Sequence, residues 1–294
     1  MNKSTRRSFI KSGAAAAGAL TGGSTLAGAG KRSATDWVTL GNSGVKVTRL
    51  AMGTGGNGGR WQRDLGQAAF TKVVRHAYDR GVRFFESADR YQTHGMVAEA
   101  LRGVPRDTYK LMTKMVWRDE PDPLGTIDRF RKELNTDHLD ILLLHLVREK
   151  GWPDQLKRLM DAFSEAKEKK IILAHGASCH GLAPLSDFPG TKWLDVALLR
   201  VNHNGTSMDV APGVRNAPGD VPTVVSQIER IHNQGTGVIG MKLIGNGKFT
   251  EPETREASIR FVMNLDCVDA ATIGMLAESH VDEAIERMNR SLSA

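Results

Sequence analysis

The chain has 294 residues, beyond the usual size of one small domain but ordinary for an α/β barrel. Its 40 lysines and arginines outnumber 33 acids, and its two cysteines, Cys179 and Cys267, lie far apart with no CxxC pattern. A disulfide framework and a zinc ribbon are excluded, and no basic run marks a nucleic-acid partner.

In chain order, the first signal is "STRRSFIKSGAAAAGALTGGSTLAGAG". Arg6-Arg7 precede Ser8, Phe9, Ile10 and Lys11, a weakly apolar Ala/Gly run follows, and Ala27-Gly28-Ala29 offers small residues for cleavage. The segment resembles a twin-arginine export signal over residues 1–29, with export machinery as the partner and an exported, periplasmic or extracellular, destination. Its apolar run is too short and weak for a permanent membrane anchor. Without Lys3, Arg6, Arg7 and Lys11 the remaining chain has 36 basic and 33 acidic side chains, a net of +3.

From residue 47 onward, short apolar runs alternate with segments of helical period. Strand candidates are 47–52, 82–86, 110–114, 139–144, 171–176, 195–201, 237–241 and 269–274. Helical spacing marks 67–80, 128–135, 154–170, 224–234 and 255–264 between them, with Arg80-Gly81 and Asn233-Gln234-Gly235 as stops. Eight strand-then-helix units predict a parallel α/β fold closed as a (β/α)8 TIM barrel, a single domain over residues 30–294. An open doubly wound sheet is the competitor. "GTGGNGGR" (53–60) only loosely mimics the glycine fingerprint such a sheet would carry, and reads as a flexible loop with no strong helix directly after it.

A barrel brings the C-terminal ends of its strands to one mouth. Glu86 ends the second predicted strand, Tyr91 lies in its loop, Lys114 ends the third and His145 ends the fourth. A phenol is a poor acid at neutral pH unless a nearby ammonium favours its phenolate, and that ammonium needs a carboxylate to orient it. Histidine can add a hydrogen bond to a carbonyl oxygen. The quartet suits carbonyl reduction beside a hydride donor. Asp89, Arg90 and His94 read as loop residues.

These residues also resemble a known family, the aldo-keto reductases. "WVTLGNSGVKVTRLAMGT" (37–54) is similar to the family's opening β-hairpin and first strand, "FFESADRY" to its Phe-Phe-Asp-Thr-Ala-x-x-Tyr, "YKLMTK" to its lysine strand, "HLDILLLH" to its histidine strand and "ILAHGASCH" to its Gly-x-Ser-Asn turn. The resemblance runs from about residue 37 to 290. It implies Tyr91 as general acid, Lys114 as the group lowering its pKa, His145 as the residue orienting or protonating the carbonyl, and Glu86 in place of the family aspartate. The loop after Tyr91 departs, with Gln-Thr-His-Gly where Gly-x-Ser-Glu is common.

The resemblance further implies a cofactor, NADP(H) or NAD(H); the twin-arginine signal, whose route carries folded proteins, adds the expectation that this cofactor is bound tightly before export. The cofactor's implied contacts are Gly53, Thr54, Ser178, Cys179, Arg200, Met241, Lys242, Gly274 and Met275. Cys179 replaces an asparagine amide, Arg200 a glutamine, and Met241 an aromatic that often stacks on the nicotinamide. The last helix would receive an adenosine phosphate at its N-terminus, with Ser279 also a natural cap. Leu276 and Ala277 stand where NADPH-preferring relatives carry Lys/Arg and Ser, and Glu278 would repel a 2′-phosphate.

Two other classes compete. A metal-dependent hydrolase would draw on Glu86, His145, His175, His180 and His203, although no metal ligand set is assigned. A barrel that has lost catalysis and binds a small ligand would explain the departures at Glu86, Cys179, Arg200, Met241 and Leu276. For the enzyme, the expected substrate is a small carbonyl or alcohol compound, with residues 202–222 as lid and their Asn, Asp and Arg suiting a polar molecule such as a sugar.

Overall fold

The computed structural model describes residues 32–116, 120–214 and 217–293, so the export signal expected at 1–29 lies outside the described residues. Two short strands, β1 (Trp37–Thr39) and β2 (Lys46–Thr48), pair antiparallel as a hairpin, with Val38 opposite Val47. Eight parallel strands then close into a barrel: β3 (Leu50–Gly53), β4 (Phe84–Glu86), β5 (Lys110–Val116), β6 (Leu139–Val147), β7 (Ile172–Cys179), β8 (Val196–Arg200), β9 (Gly237–Met241) and β10 (Ala270–Gly274). Each pairs with its sequence neighbours, and β10 returns to β3 with Gly274 opposite Gly53.

The strand periodicity of two sorts side chains into two cores. Ala51, Phe84, Met112, Ile141, Leu143, Ala174, Val196, Leu198, Ile239 and Ala270 fill the interior, while alternate residues such as Leu50, Leu111, Leu142 and Ala197 face the helices. Leu40, Val45 and Val47 of the hairpin join the interior cluster. The hairpin approaches so closely that a Cβ on Gly237, the first residue of β9, would lie 2.6 Å from Leu40. The N-terminal end of the barrel is therefore plugged, which leaves the C-terminal end for chemistry.

The outer layer comprises α1 (Arg60–Asp64), α2 (Gly66–Asp79), α3 (His94–Ala100), α4 (Pro123–Glu133), α5 (Trp152–Gln155), α6 (Lys157–Glu168), α7 (Leu182–Leu185), α8 (Val221–Asn233), α9 (Pro252–Met263) and α10 (Glu278–Leu292). Local chemistry starts several of them. Asp122 and Asp220 cap α4 and α8 by accepting from Gly125 N at 2.9 Å and Thr223 N at 3.2 Å, with proline inside the first turn.

Several boundaries differ from the sequence expectation. The first predicted strand, 47–52, is two elements, because Val47 and Thr48 belong to the hairpin and the barrel begins at Leu50. The helix expected over 154–170 breaks at Leu156. The glycine stretch 53–60 leads directly into a helical turn: Gly59, in the left-handed region at φ 85°, precedes α1, and a Cβ there would collide with the Tyr91 backbone. His94 is buried at the start of α3 rather than in a loop, bonded to Glu133 at 2.7 Å and Thr113 at 2.6 Å. Within the predicted lid, Asn202, Met208 and Asp209 are buried, so the first part of that segment is packed against the barrel.

Candidate active site

The interior-facing positions continue to the top of every barrel strand. By the alternation that places Phe84, Met112, Leu143, Leu198 and Ile239 inside, Gly53, Glu86, Lys114, His145, Ser178, Arg200, Met241 and Gly274 occupy the same face at the mouth. The eight parallel strands thus bring together side chains that are far apart in sequence.

Tyr91, in a short turn of helix (Asp89–Tyr91) after β4, leans over this mouth. Lys114 Nζ stands 3.4 Å from its hydroxyl, donates to the Ser87 carbonyl at 2.8 Å and is paired with Glu86. The His145 ring meets the Tyr91 ring edge-on, centroids 5.4 Å apart at 86°. Beneath them, Thr93 bridges Thr54 and Ser87 through hydroxyl contacts of 2.8 Å each, which hold the Tyr91 turn to the ends of β3 and β4. Thr54 is part of this support and is buried away from the cleft.

Burial and the Glu86 carboxylate push the Tyr91 phenol well above its ordinary range. The expectation that Lys114 would bring the phenol below its ordinary range is corrected in its net result: burial and Glu86 outweigh the ammonium, which is itself buried, drawn down by desolvation and paired with Glu86. Tyr91 is consequently held as a protonated phenol. His145 is driven well below its ordinary range, first by burial and then by the charge of Lys114, so it is a neutral imidazole. Its Nδ1 is buried without a partner.

A cleft of about 480 Å³ opens beside Tyr91. Gly53, Gly55, Glu86, Tyr91, Leu198 and Met241 form its inner end, and Trp61, Lys242, Asn246, Gly274 and His280 its outer part. A second hollow of about 260 Å³ shares Ile244, Gly247, Ile273, Gly274 and His280 with it, so the groove runs on between α9 and α10. Only glycine leaves the inner end open at position 53, since a Cβ there would lie 2.8 Å from Thr272 Oγ1 and 2.9 Å from Glu86 Oε2. Lys242 belongs to the opposite strand parity. It reaches the cleft because its backbone turns left-handed at φ 66°, and burial with the Arg200 charge lowers its pKa to about 8.

The other expected cofactor contacts lie elsewhere. Cys179 and Met275 fall on the parity that faces the helices and are fully buried in the outer core, away from the cleft. Cys179 and Cys267 are both free thiols. Ser178 is buried and accepts from Leu146 N at 2.9 Å. Arg200 turns to Asp209, 3.2 Å away, and to His180 Nδ1.

The cleft also contains residues that the sequence did not single out. Gln62 is 1 % exposed, yet neither its Oε1 nor its Nε2 has a partner. Trp61 packs against Gly56 and against Gly247 across the cleft, a Cβ on Gly247 lying 3.0 Å from its ring. Both belong to α1, a helix of five residues, too short for periodicity to reveal it. The histidines of the hydrolase alternative are dispersed: His175 stacks on Trp193 at 4.3 Å, His203 meets Phe249 at 5.4 Å, and His180 is bound by Arg200. Among the described residues, no three His, Cys, Asp or Glu side chains converge as a metal site.

The sequence model of the Aldo/keto reductase family matches residues 49–292. Among curated proteins, the chain is 30% identical over 139 residues to 9,11-endoperoxide prostaglandin H2 reductase of Trypanosoma cruzi (strain CL Brener), covering 46% of each. It spans about half the length of the first curated relatives it matches. Among solved structures, it superposes on aldo-keto reductase AKR11C1 from Bacillus halodurans (holo form) with a TM-score of 0.68 at 16% identity, covering 87% of this chain and 95% of that one. An aldo/keto reductase from Klebsiella pneumoniae, in complex with NADP and acetate, gives 0.61 at 16% identity, covering 87% and 90%. These structural likenesses concern the fold.

Proposed function

The chain belongs to the aldo/keto reductase family, and we propose that it catalyses reversible hydride transfer between a nicotinamide cofactor and a small aldehyde, ketone or sugar. The single observation that carries this assignment is the meeting of Tyr91, Lys114, Glu86 and His145 at the inner end of a glycine-lined cleft. When bound, the nicotinamide supplies the hydride, so that the carbonyl compound gains a hydride on carbon and a proton on oxygen. Tyr91 donates that proton. Its raised pKa keeps the proton in place until negative charge develops on the carbonyl oxygen. Lys114, 3.4 Å away, then faces the phenolate and stabilises it. Neutral His145 offers an N–H to the same oxygen, and Glu86 holds Lys114 within reach.

The cleft fits such a cofactor chemically. Gln62 keeps an unpartnered buried amide beside it, Gly53 and Gly274 keep its floor open, and Lys242 and His280 supply positive or protonatable groups along it. For the form of the cofactor, the second hollow favours NAD(H). Its two arginines are committed, Arg255 to Glu283 at 2.7 Å and Arg287 to Glu256 at 2.6 Å, and Leu276, which lines the adjoining cleft, brings no charge for a 2′-phosphate. NADP in the Klebsiella pneumoniae relative supports the alternative form.

Arg6-Arg7 and the Ala/Gly run support export by the twin-arginine route, with the nucleotide enclosed during cytoplasmic folding. Purification of the cytoplasmically folded protein, denaturation and mass spectrometry of the released nucleotide test the enclosure and the form of the cofactor. NAD(H) near one per chain is the expected result, and NADP(H) would correct the form. A protein that is empty and also fails to bind either added nucleotide would overturn the reductase assignment in favour of a ligand-binding barrel.

A further inference from the structure

The half of the mouth opposite the cofactor cleft has a different character. There, β6, β7 and β8 end in succession at Val147, Cys179 and Arg200. His180 N donates to the Val147 carbonyl at 2.8 Å, which sets Arg148 and His180 side by side at the tops of adjacent strands. Arg200 bonds His180 Nδ1 and continues the row. On the other flank of Tyr91 stands Arg90, in the turn after β4. Three arginines, Arg90, Arg148 and Arg200, therefore border His145 and Tyr91 on the side away from the glycine-lined wall, with the His180 ring between two of them.

Not all of this charge is balanced. Lys114 is neutralised by Glu86 and Arg200 by Asp209. Asp89 is engaged by Arg129 at 3.0 Å, and Glu149, next in sequence to Arg148, is exposed. Arg90 and Arg148 are exposed and, among the described residues, have no side-chain hydrogen-bond or ion-pair partner. Their guanidinium groups are fixed positive charges with unused donors beside the group that protonates the carbonyl.

We propose that this basic arc selects carbonyl substrates carrying an anionic group, a carboxylate or a phosphate a few atoms from the reacting carbon, with Arg148 as the principal contact and Arg90 as its counterpart. The proposal rests on the reductase assignment and adds the substrate class to it. Forked guanidinium donors match either anion in a bidentate fashion, so the chemistry shared by both is the prediction. Supporting electrostatics come from the histidines: Arg148 and Lys242 act on both His145 and His180, and Arg90 on His145, which together with burial hold both rings neutral. Neutral rings leave the arginines as the charges that an anion would meet. Lys242 lies within the cleft and is placed for the cofactor phosphates.

The test compares kcat/KM for para-carboxybenzaldehyde, para-formylphenyl phosphate and the neutral methyl ester of the first, each with NADH and NADPH. Wild type, Arg148→Ala and Arg148→Lys are measured, with thermal melts to confirm folding. The expected anion-to-ester ratio in wild type is roughly 10- to 100-fold, as one or two charge-assisted hydrogen bonds would give. It falls below about 3-fold in Arg148→Ala and partly returns in Arg148→Lys. The favoured anion identifies carboxylate or phosphate as the group read. Equal turnover of acid and ester would overturn the anionic class while leaving the reductase assignment standing. If no aldehyde is turned over, the assignment fails, and calorimetric titration with para-hydroxymethylbenzoate decides the anion site: binding lost in Arg148→Ala supports it, and absence of binding to wild type overturns it.

Discussion

Lys114 places its ammonium 3.4 Å from the Tyr91 hydroxyl while its opposite side is paired with the Glu86 carboxylate. The three groups lie at the ends of one short run, and the lysine and carboxylate are buried. With its charge balanced, the lysine does not ionise the phenol in advance. It is placed to stabilise the phenolate once a proton has left.

Tyr91→Phe removes the proton donor and keeps the ring that packs against His145. Turnover should fall by about 100-fold to 10,000-fold, the span typical of lost general acid catalysis, with nucleotide binding retained. Nicotinamide absorbance in steady state and a fluorescence titration of the nucleotide give the two numbers. Undiminished turnover in the variant would assign the proton to another group.

Glu86→Gln strands the Lys114 ammonium in the barrel. Breaking a buried pair in this way should cost about 3–5 kcal/mol of stability in denaturant unfolding. The double variant Glu86→Gln/Lys114→Met, which leaves no unpaired charge, should recover much of that stability and none of the activity. Equal stability of the single and double variants would show that the pair is not a buried, coupled unit.

Lys242 supplies a pH dependence. Its pKa is lowered to about 8, so its positive charge is complete at pH 6 and is lost as the pH rises through about 8. Nucleotide affinity should therefore weaken on the alkaline side, with a midpoint shifted upward because a bound phosphate favours the ammonium. In Lys242→Gln that dependence should flatten and affinity at neutral pH should be lower. An identical pH profile in the variant would remove Lys242 from the phosphate contacts.

Gln62→Leu separates folding from binding. Replacing an amide with two unpartnered buried atoms should leave the free protein as stable as before or more so. Nucleotide affinity should fall about 5- to 10-fold, the worth of one net hydrogen bond, as followed by the fluorescence of neighbouring Trp61. A variant that binds as tightly as wild type would show that the amide does not contact the nucleotide.

Much of the fold was legible because its signals are local. Each barrel strand is a short apolar run, each large helix repeats at three and four residues, and the strand-to-strand order needs only the rule that parallel strands are joined through helices. Position 47 shows where this fails. Val47 and Thr48 have the composition of a barrel strand, and only the pairing of Val47 with Val38 assigns them to the hairpin. The glycines of 53–60 look like a loop by composition, yet Gly59 tips the chain into a turn of helix because the Tyr91 backbone lies against it.

The sequence by itself determined the eight-unit barrel and the chemical identity of the quartet, since both depend on period, order and residue type. Tertiary structure decided which side chains reach the cleft and in what charge state. Cys179 and Met275 are adjacent in sequence to mouth residues, but a strand turns each neighbour through about half a turn, and they end in the outer core. Arg200 meets Asp209 and His180 only after β7, β8 and the following loop have packed together. The protonated state of Tyr91 likewise follows from burial and from the partner that Lys114 has found, quantities that exist only once the barrel has closed.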